Sequence, residues 1–346
     1  MKHGVFCLTI LMLVFTVVSA WGEVSEIFVL GDTTTPPKGY TYTEMTMHSS
    51  DKWTAKANMP TARSLLAVVE VNNKIYAIGG YGIGYSDVLN TNEEYDPVTN
   101  TWTTKANMPT ARGELAAAAV NGKIYAIGGA TNIGLTGANE AYNPTTNTWT
   151  AKANMLTPRD YLAAAAVNGK IYAIGGYEDL ATAGYESNAN EVYDPAVNTW
   201  AVKKKMPTAR IALAAAAVNG KIYAIGGWKD WFWDPHLNQT EEYNPVTNTW
   251  SVKLNMHNAR CDHAVAVVNG KIYAIGGEGL NSDFMTITEE YDPVTSTWTE
   301  KADLRTARTG LAAATVNGKI YAIGGSSKRT NEEYSPSVLF YIHKTN

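Results

Sequence analysis

Arg260 is followed by Cys261, Asp262 and His263, a thiol, a carboxyl and an imidazole in consecutive positions. Alternate residues of a strand share a face, so Cys261 and His263 are expected to point together, with Asp262 opposed. Arg112 and Arg159 also precede proton-carrying side chains, Glu114 in one case and Asp160-Tyr161 in the other. Such groups can work as an acid–base pair or orient a polar ligand. After Arg63, Arg210 and Arg308 the corresponding residues are Ser64-Leu65, Ile211-Ala212 and Thr309-Gly310, which carry no such chemistry. A second group, Trp228, Trp231, Phe232, Trp233 and His236, crowds one short segment. Exposed aromatics beside polar groups suit a sugar face or a peptide side chain. The same residues also suit a loop folded back over its own scaffold. Cys261, His263, His257 and His236 do not form a recognisable metal-ligand set, so neither metal nor cofactor is expected.

These residues sit in a repeat. Ile-Tyr-Ala-Ile-Gly-Gly occurs six times, ending at Gly80, Gly129, Gly176, Gly227, Gly277 and Gly325, at intervals of 49, 47, 51, 50 and 48 residues. A period near fifty denotes one supersecondary unit stacked in an array. In the second copy Leu115 to Val120 is alanine-rich, which propensity alone assigns to a helix. Asn121-Gly122 and the β-branched, aromatic run from Lys123 to Ile127 overrule that, because together they read as a hairpin. A third strand is expected around Glu140-Ala141-Tyr142, a proline-containing turn follows, and Thr148-Trp149-Thr150 opens a fourth. Four antiparallel strands per unit around an axis make a β-propeller blade, so the expected fold is an all-β, six-bladed propeller. Small alanines belong at the narrow end of the wedge. Trp53, Trp102, Trp149, Trp200, Trp250 and Trp298 then pack on the outer strands as blade aromatics.

Six copies supply three strands each, but the last lacks its tryptophan, and Trp53 is left over at the other end. Residues 51–59 are therefore expected to supply the fourth strand of blade six, so that N- and C-terminal segments together close the ring. Tyr341, within the apolar run Val338 to Ile342, competes for that place, and residues 40–47 alternate like a strand with no assigned partner.

The double glycine after the second strand, the tyrosine before Asp-Pro or Asn-Pro, and the tryptophan six to eight residues later closely resemble the kelch repeat. The resemblance covers about residues 51–340 and implies a propeller used as a binding scaffold or, less often, as an enzyme. Galactose oxidase carries a kelch-type propeller with a copper centre, but its ligand motifs cannot be matched here. An exported six-bladed kelch enzyme, N-acetylneuraminate epimerase, makes sugar mutarotation the leading catalytic alternative, with Glu114 or Asp262 and an arginine as candidate groups.

Arginine opens every unit (Arg63, Arg112, Arg159, Arg210, Arg260, Arg308), and glutamate recurs at Glu93, Glu140, Glu191, Glu241, Glu289 and Glu332. The arginines suit a cationic ring at the channel mouth. Because both residues recur six times, a structural ion pair is the favoured reading.

At the N-terminus Lys2 precedes an uncharged apolar run, Val5 to Val18, and then Ser19-Ala20, the pattern of a signal peptide over residues 1–20. That run is too short to span a bilayer. Export to the periplasm or exterior is expected, followed by an arm over residues 21–50 and the propeller over 51–346. The net charge of −4 becomes −5 without the leader, and no basic cluster invites nucleic acid. The mature chain would keep only Cys261 and form no internal disulfide. The expectation is a monomeric, non-catalytic module that binds a protein or glycan, with no membrane insertion after cleavage. The binding candidates are Glu114, Asp160, Tyr161, Trp228, Trp231, Trp233, His236, Asp262 and His263.

Overall fold

A computed structural model describes residues 14–18, 24–28, 42–45, 51–85, 87–178, 186–229, 236–336 and 340–343. Trp231, Phe232 and Trp233 lie outside the described residues. Among the described residues, six four-stranded antiparallel sheets repeat one pattern. Blade two shows it: strand a is Ala116–Val120, b Lys123–Ile127, c Asn139–Asn143 and d Thr148–Ala151, hydrogen-bonded in the order a, b, c, d. The alanine run is extended because Asn121 (φ 51°) and Gly122 (φ 69°) both take the left-handed conformation that a tight hairpin needs. Strands a contact one another around the hub, where only small side chains fit.

The ring closes with the N-terminal segment. Lys52–Ala55 is the outer strand of blade six, beside Leu311–Val316, Lys319–Gly324 and Asn331–Ser335. The competing segment is placed elsewhere: Phe340–His343 pairs with Val24–Phe28 and Tyr42–Met45. The boundaries expected from sequence shift accordingly. The propeller unit spans Lys52–Tyr334, while residues 335–346 group with residues 1–51, because their strand pairs there. In that second unit Val14–Val18 also pairs with Val24–Phe28, so the expected arm contains strands.

Each recurrent aromatic joins two blades. Trp102, Trp149, Trp200, Trp250, Trp298 and Trp53 donate Nε1–H to a backbone carbonyl of the preceding blade, at 2.7–2.9 Å. Each also lies against the strand-c tyrosine directly opposite, as Trp149 does against Tyr142 at 5.1 Å. Only Trp53 and Trp298 are fully buried, since strand d is the outermost and turns one face to water. The strand-c tyrosines reach the turn that follows: Tyr95, Tyr142, Tyr193 and Tyr243 donate to Asn100, Asn147, Asn198 and Asn248. The same asparagine oxygens accept from backbone N–H groups of the preceding blade. In blade five the position is Ser296, whose shorter side chain faces the buried Tyr291 hydroxyl without a close hydrogen bond, and no other described residue supplies one.

Two stability measurements check this joint chemistry. Trp200→Ala should cost about 3 kcal/mol in chemical denaturation, the low end for tryptophan truncation because its ring is half-buried, and Trp298→Ala should cost more. Ser296→Asn should stabilise by about 1 kcal/mol, since asparagine suits the φ of 56° at that site and offers Tyr291 the oxygen its counterparts use. A neutral or destabilising Ser296→Asn would contradict the assignment.

Candidate functional site at the hub

The arginines do not line the mouth. All six are fully buried, and each is ion-paired to its own blade's glutamate: Arg63–Glu93 at 2.6 Å, Arg112–Glu140 at 2.9 Å, Arg159–Glu191 and Arg308–Glu332 at 3.3 Å, Arg210–Glu241 at 3.0 Å, and Arg260–Glu289. Arg63 also donates to the carbonyls of Ala77, Gly79 and Thr91, which ties strand b to the loop that leaves it. Burial pulls Arg112 and Arg210 down to about 10, which leaves them charged at neutral pH. A cationic ring facing a ligand is therefore replaced by six internal rivets.

The double glycine follows from the same crowding. The second glycine of each copy donates its N–H to the arginine carbonyl of the next blade, as Gly80 does to Arg112 at 3.0 Å and Gly325 to Arg63 at 2.9 Å. At Gly79 a Cβ would lie 2.6 Å from that carbonyl oxygen, so no side chain is tolerated.

Two residues beyond each arginine the backbone turns left-handed. Leu65, Glu114, Tyr161, Ala212, Asp262 and Gly310 all have φ between 46° and 63°. Each N–H donates to the carbonyl of its counterpart in the preceding blade, at 2.7–3.0 Å, and the six bonds close a circle. This ring positions the site. It presents six equivalent places at the axis, and the side chains on them differ.

Those side chains line a cavity of about 90 Å³, together with Leu66, Leu115, Leu162, Leu213, His263 and Leu311 one residue further on. Five blades put leucine in this second layer, and blade five puts histidine. His263 is 5% exposed and neither ring nitrogen has a hydrogen-bond partner among the described residues. Burial, with the nearby Arg260 and Arg210 charges, lowers it to about 3, so its imidazole is neutral.

The acids gather in two places. The Glu114 carboxyl lies within reach of Tyr81, Asp160 and Tyr161, and burial raises it. Burial first, and the neighbouring Glu114 second, push Asp160 up to about 8. Asp262, on the other flank, is also pushed up to about 8 by burial, then by Glu114 and Glu278. Tyr161 is raised further by burial and by these carboxyls. Blades one, four and six contribute only Leu65, Ala212 and Gly310 to the same ring.

The sequence matches the family profile described as the KLHDC2/KLHL20/DRC7 Kelch-repeats domain over residues 24–176 and 151–277. It matches the Kelch motif profile over residues 259–305 and 307–346. The chain belongs to the kelch family. A solved structure, that of YjhT, superposes with a TM-score of 0.68 at 17% identity, covering 81% of this chain and 96% of that one, which shows the shared fold.

Within this kelch propeller the candidates fall into two groups. Glu114, Tyr161, Asp262 and His263 line the cavity, and Asp160 stands beside Glu114. Trp228 and His236 instead stack on each other, with centroids 6.1 Å apart and an 18° interplanar angle. Trp228 packs with Tyr161, Tyr177, Ile211, Ala212 and Cys261, an apolar patch beside the ring. Cys261 is buried in that patch, so the Cys-Asp-His triplet is split: the thiol belongs to packing, the carboxyl and imidazole to the cavity. Sequence reasoning missed Tyr81, whose ring lies where a Cβ at Gly113 would clash at 2.1 Å. The signal was present, since glycine occurs at that register only in blade two. It also missed the leucine layer, which an alignment of the six copies exposes.

The site makes the fold pH-sensitive in two opposed ways. His263 stays neutral when folded, so its contribution is complete above about pH 6.5 and is lost as pH falls towards 3. Asp262 stays protonated when folded, so its contribution is complete below about pH 4 and is lost as pH rises through 8. His263→Leu, which restores the residue of the other blades, should stabilise by about 1 kcal/mol near neutral pH and flatten the acid limb. Asp262→Asn should flatten the limb between pH 4 and 8. Denaturation midpoints measured from pH 4 to 9 decide both, and unchanged profiles would contradict the burial assigned here.

Proposed function

We propose that this kelch propeller is an exported, non-catalytic binding module. It recognises a polypeptide or glycan through the face that carries the hub cavity and the loops between strands b and c. The observation that carries this reading is the contrast between frame and insert. Arginine, glycine pair, ring bond and tryptophan recur blade after blade, while the residues on the ring read Leu, Glu, Tyr, Ala, Asp and Gly. A rigid, nearly six-fold frame with unlike side chains at equivalent places selects one ligand and one orientation of it. Family membership supports the same reading. Export is supported by the run Val5 to Val18 followed by Ser19-Ala20. Cleavage after Ala20 would remove the strand Val14–Val18 from its sheet.

The competing reading is sugar mutarotation. Its support is the Glu114–Asp160 pair, where a carboxyl pushed up to about 8 keeps a proton available at neutral pH. The full chain on peptide and glycan arrays, with saturation-transfer NMR of the hits, separates the two. Binding is expected to be lost on Glu114→Gln/Asp262→Asn and kept on Val98→Ser/Val246→Ser, two exposed residues in the opposite turns between strands c and d. Accelerated anomer exchange of a free sugar, abolished by Glu114→Gln, would replace the binding reading with the enzymatic one. No array ligand would defeat the module reading outright.

A further inference from the structure

We infer that the hub cavity receives the cationic tip of an arginine or lysine side chain from a polypeptide partner, held between Glu114 and Asp262 beside the ring of Tyr161, with Asp160 and Tyr81 backing Glu114. The inference rests on the binding-module reading and names the chemistry its site accepts.

Three independent observations lead there. The first is charge. Glu114 and Asp262 line the cavity from blades two and five, with Asp160 beside Glu114 and Glu278 near Asp262. The nearby cations, Arg210 and Arg260, are already paired to Glu241 and Glu289. Burial, and for Asp160 and Asp262 the neighbouring carboxyls as well, disfavours the charged form of these acids, and an arriving cation would supply the missing counter-charge.

The second is an unmet polar group. His263 is 5% exposed, lines the cavity, and has both ring nitrogens without a partner among the described residues. Burying such nitrogens unpaired is costly, so a ligand that satisfies one is favoured. Because the imidazole is neutral, one nitrogen accepts an N–H from the ligand and no positive charge opposes it. The Oδ1 atom of Asp160, which stands beside Glu114 and is 6% exposed, is likewise without a partner among the described residues. Acceptors on facing blades can share the N–H donors of one guanidinium.

The third is size. The hub cavity, about 90 Å³ and open on one side, has room at its floor for a guanidinium or ammonium group. Tyr81 and Tyr161 add aromatic surface next to the carboxylates, an arrangement that stabilises a cation further.

The test is calorimetric titration of the full chain with acetyl-Gly-Arg-Gly-amide, acetyl-Gly-Lys-Gly-amide, the citrulline counterpart of the first, and glucosamine. The arginine and lysine peptides should bind at least tenfold more tightly than the citrulline peptide. Their affinity should rise between pH 6 and 9, up to tenfold per unit for each proton that Asp160 or Asp262 gives up, while the arginine peptide keeps its own charge. Glu114→Gln/Asp262→Asn should reduce both peptides to the citrulline level with an unchanged or raised melting temperature, which separates lost recognition from lost fold. His263→Leu should weaken the arginine peptide several-fold. Equal binding of arginine and citrulline, or unchanged binding by the double variant, would overturn the inference. Preference for glucosamine over both peptides would overturn the polypeptide source. Array ligands that lack any basic group would sink this inference while leaving the binding-module reading intact.

Discussion

The buried arginine at the start of each blade is the constraint on which the rest depends. Its guanidinium satisfies up to three carbonyls, from strand b and the chain that leads into strand c, and one carboxylate on strand c, and so ties together segments of its own blade. Its carbonyl accepts the glycine N–H of the preceding blade, and so fixes the joint. A fully desolvated ion pair contributes little net stability. What it contributes is geometry, because a charged fork with no access to water tolerates very few arrangements. The double glycine is a consequence: the next blade's carbonyl comes close enough to exclude any Cβ.

That geometry sets the hub ring two residues later. A left-handed conformation is unfavourable for leucine, glutamate, tyrosine and alanine, less so for aspartate, and is easy only for Gly310. Five residues accept it because each gains a hydrogen bond from a neighbouring blade. No blade can relax alone without breaking two bonds of the circle. The result is a set of places whose backbone is held by the whole ring, so the side chains on them can vary without disturbing the frame. This separation lets a nearly symmetric scaffold carry an asymmetric site.

The fold was largely legible in the sequence, because its determinants are local or periodic. Asn121-Gly122 specified a hairpin against the helical propensity of the alanines, and Trp53 in register with five later tryptophans announced the closing strand. The arginine–glutamate pairing was legible from recurrence alone. The fate of Phe340–His343 was not, because an apolar alternating segment fits any open sheet edge and only tertiary pairing selects one. The left-handed ring was equally hidden. Leu65, Glu114, Tyr161, Ala212 and Asp262 share no turn propensity, since the conformation is imposed by contacts about fifty residues away.

The candidate site was half legible for a related reason. Departures from the repeat pointed to Glu114, Asp160, Tyr161, Asp262 and His263, and the structure brings these to one cavity or its wall. Composition could not separate them from Trp228 and Cys261, which also depart from the repeat yet serve packing. The distinction is one of energy. Trp228 and Cys261 gain by burial, so their departure from the repeat needs no ligand. Burying three carboxyls and an unpartnered imidazole lowers stability, and leucine at position 263 would fit the pattern of the other five blades. Residues kept at a cost to the fold are where function is to be sought, and here they meet at a single place on the axis.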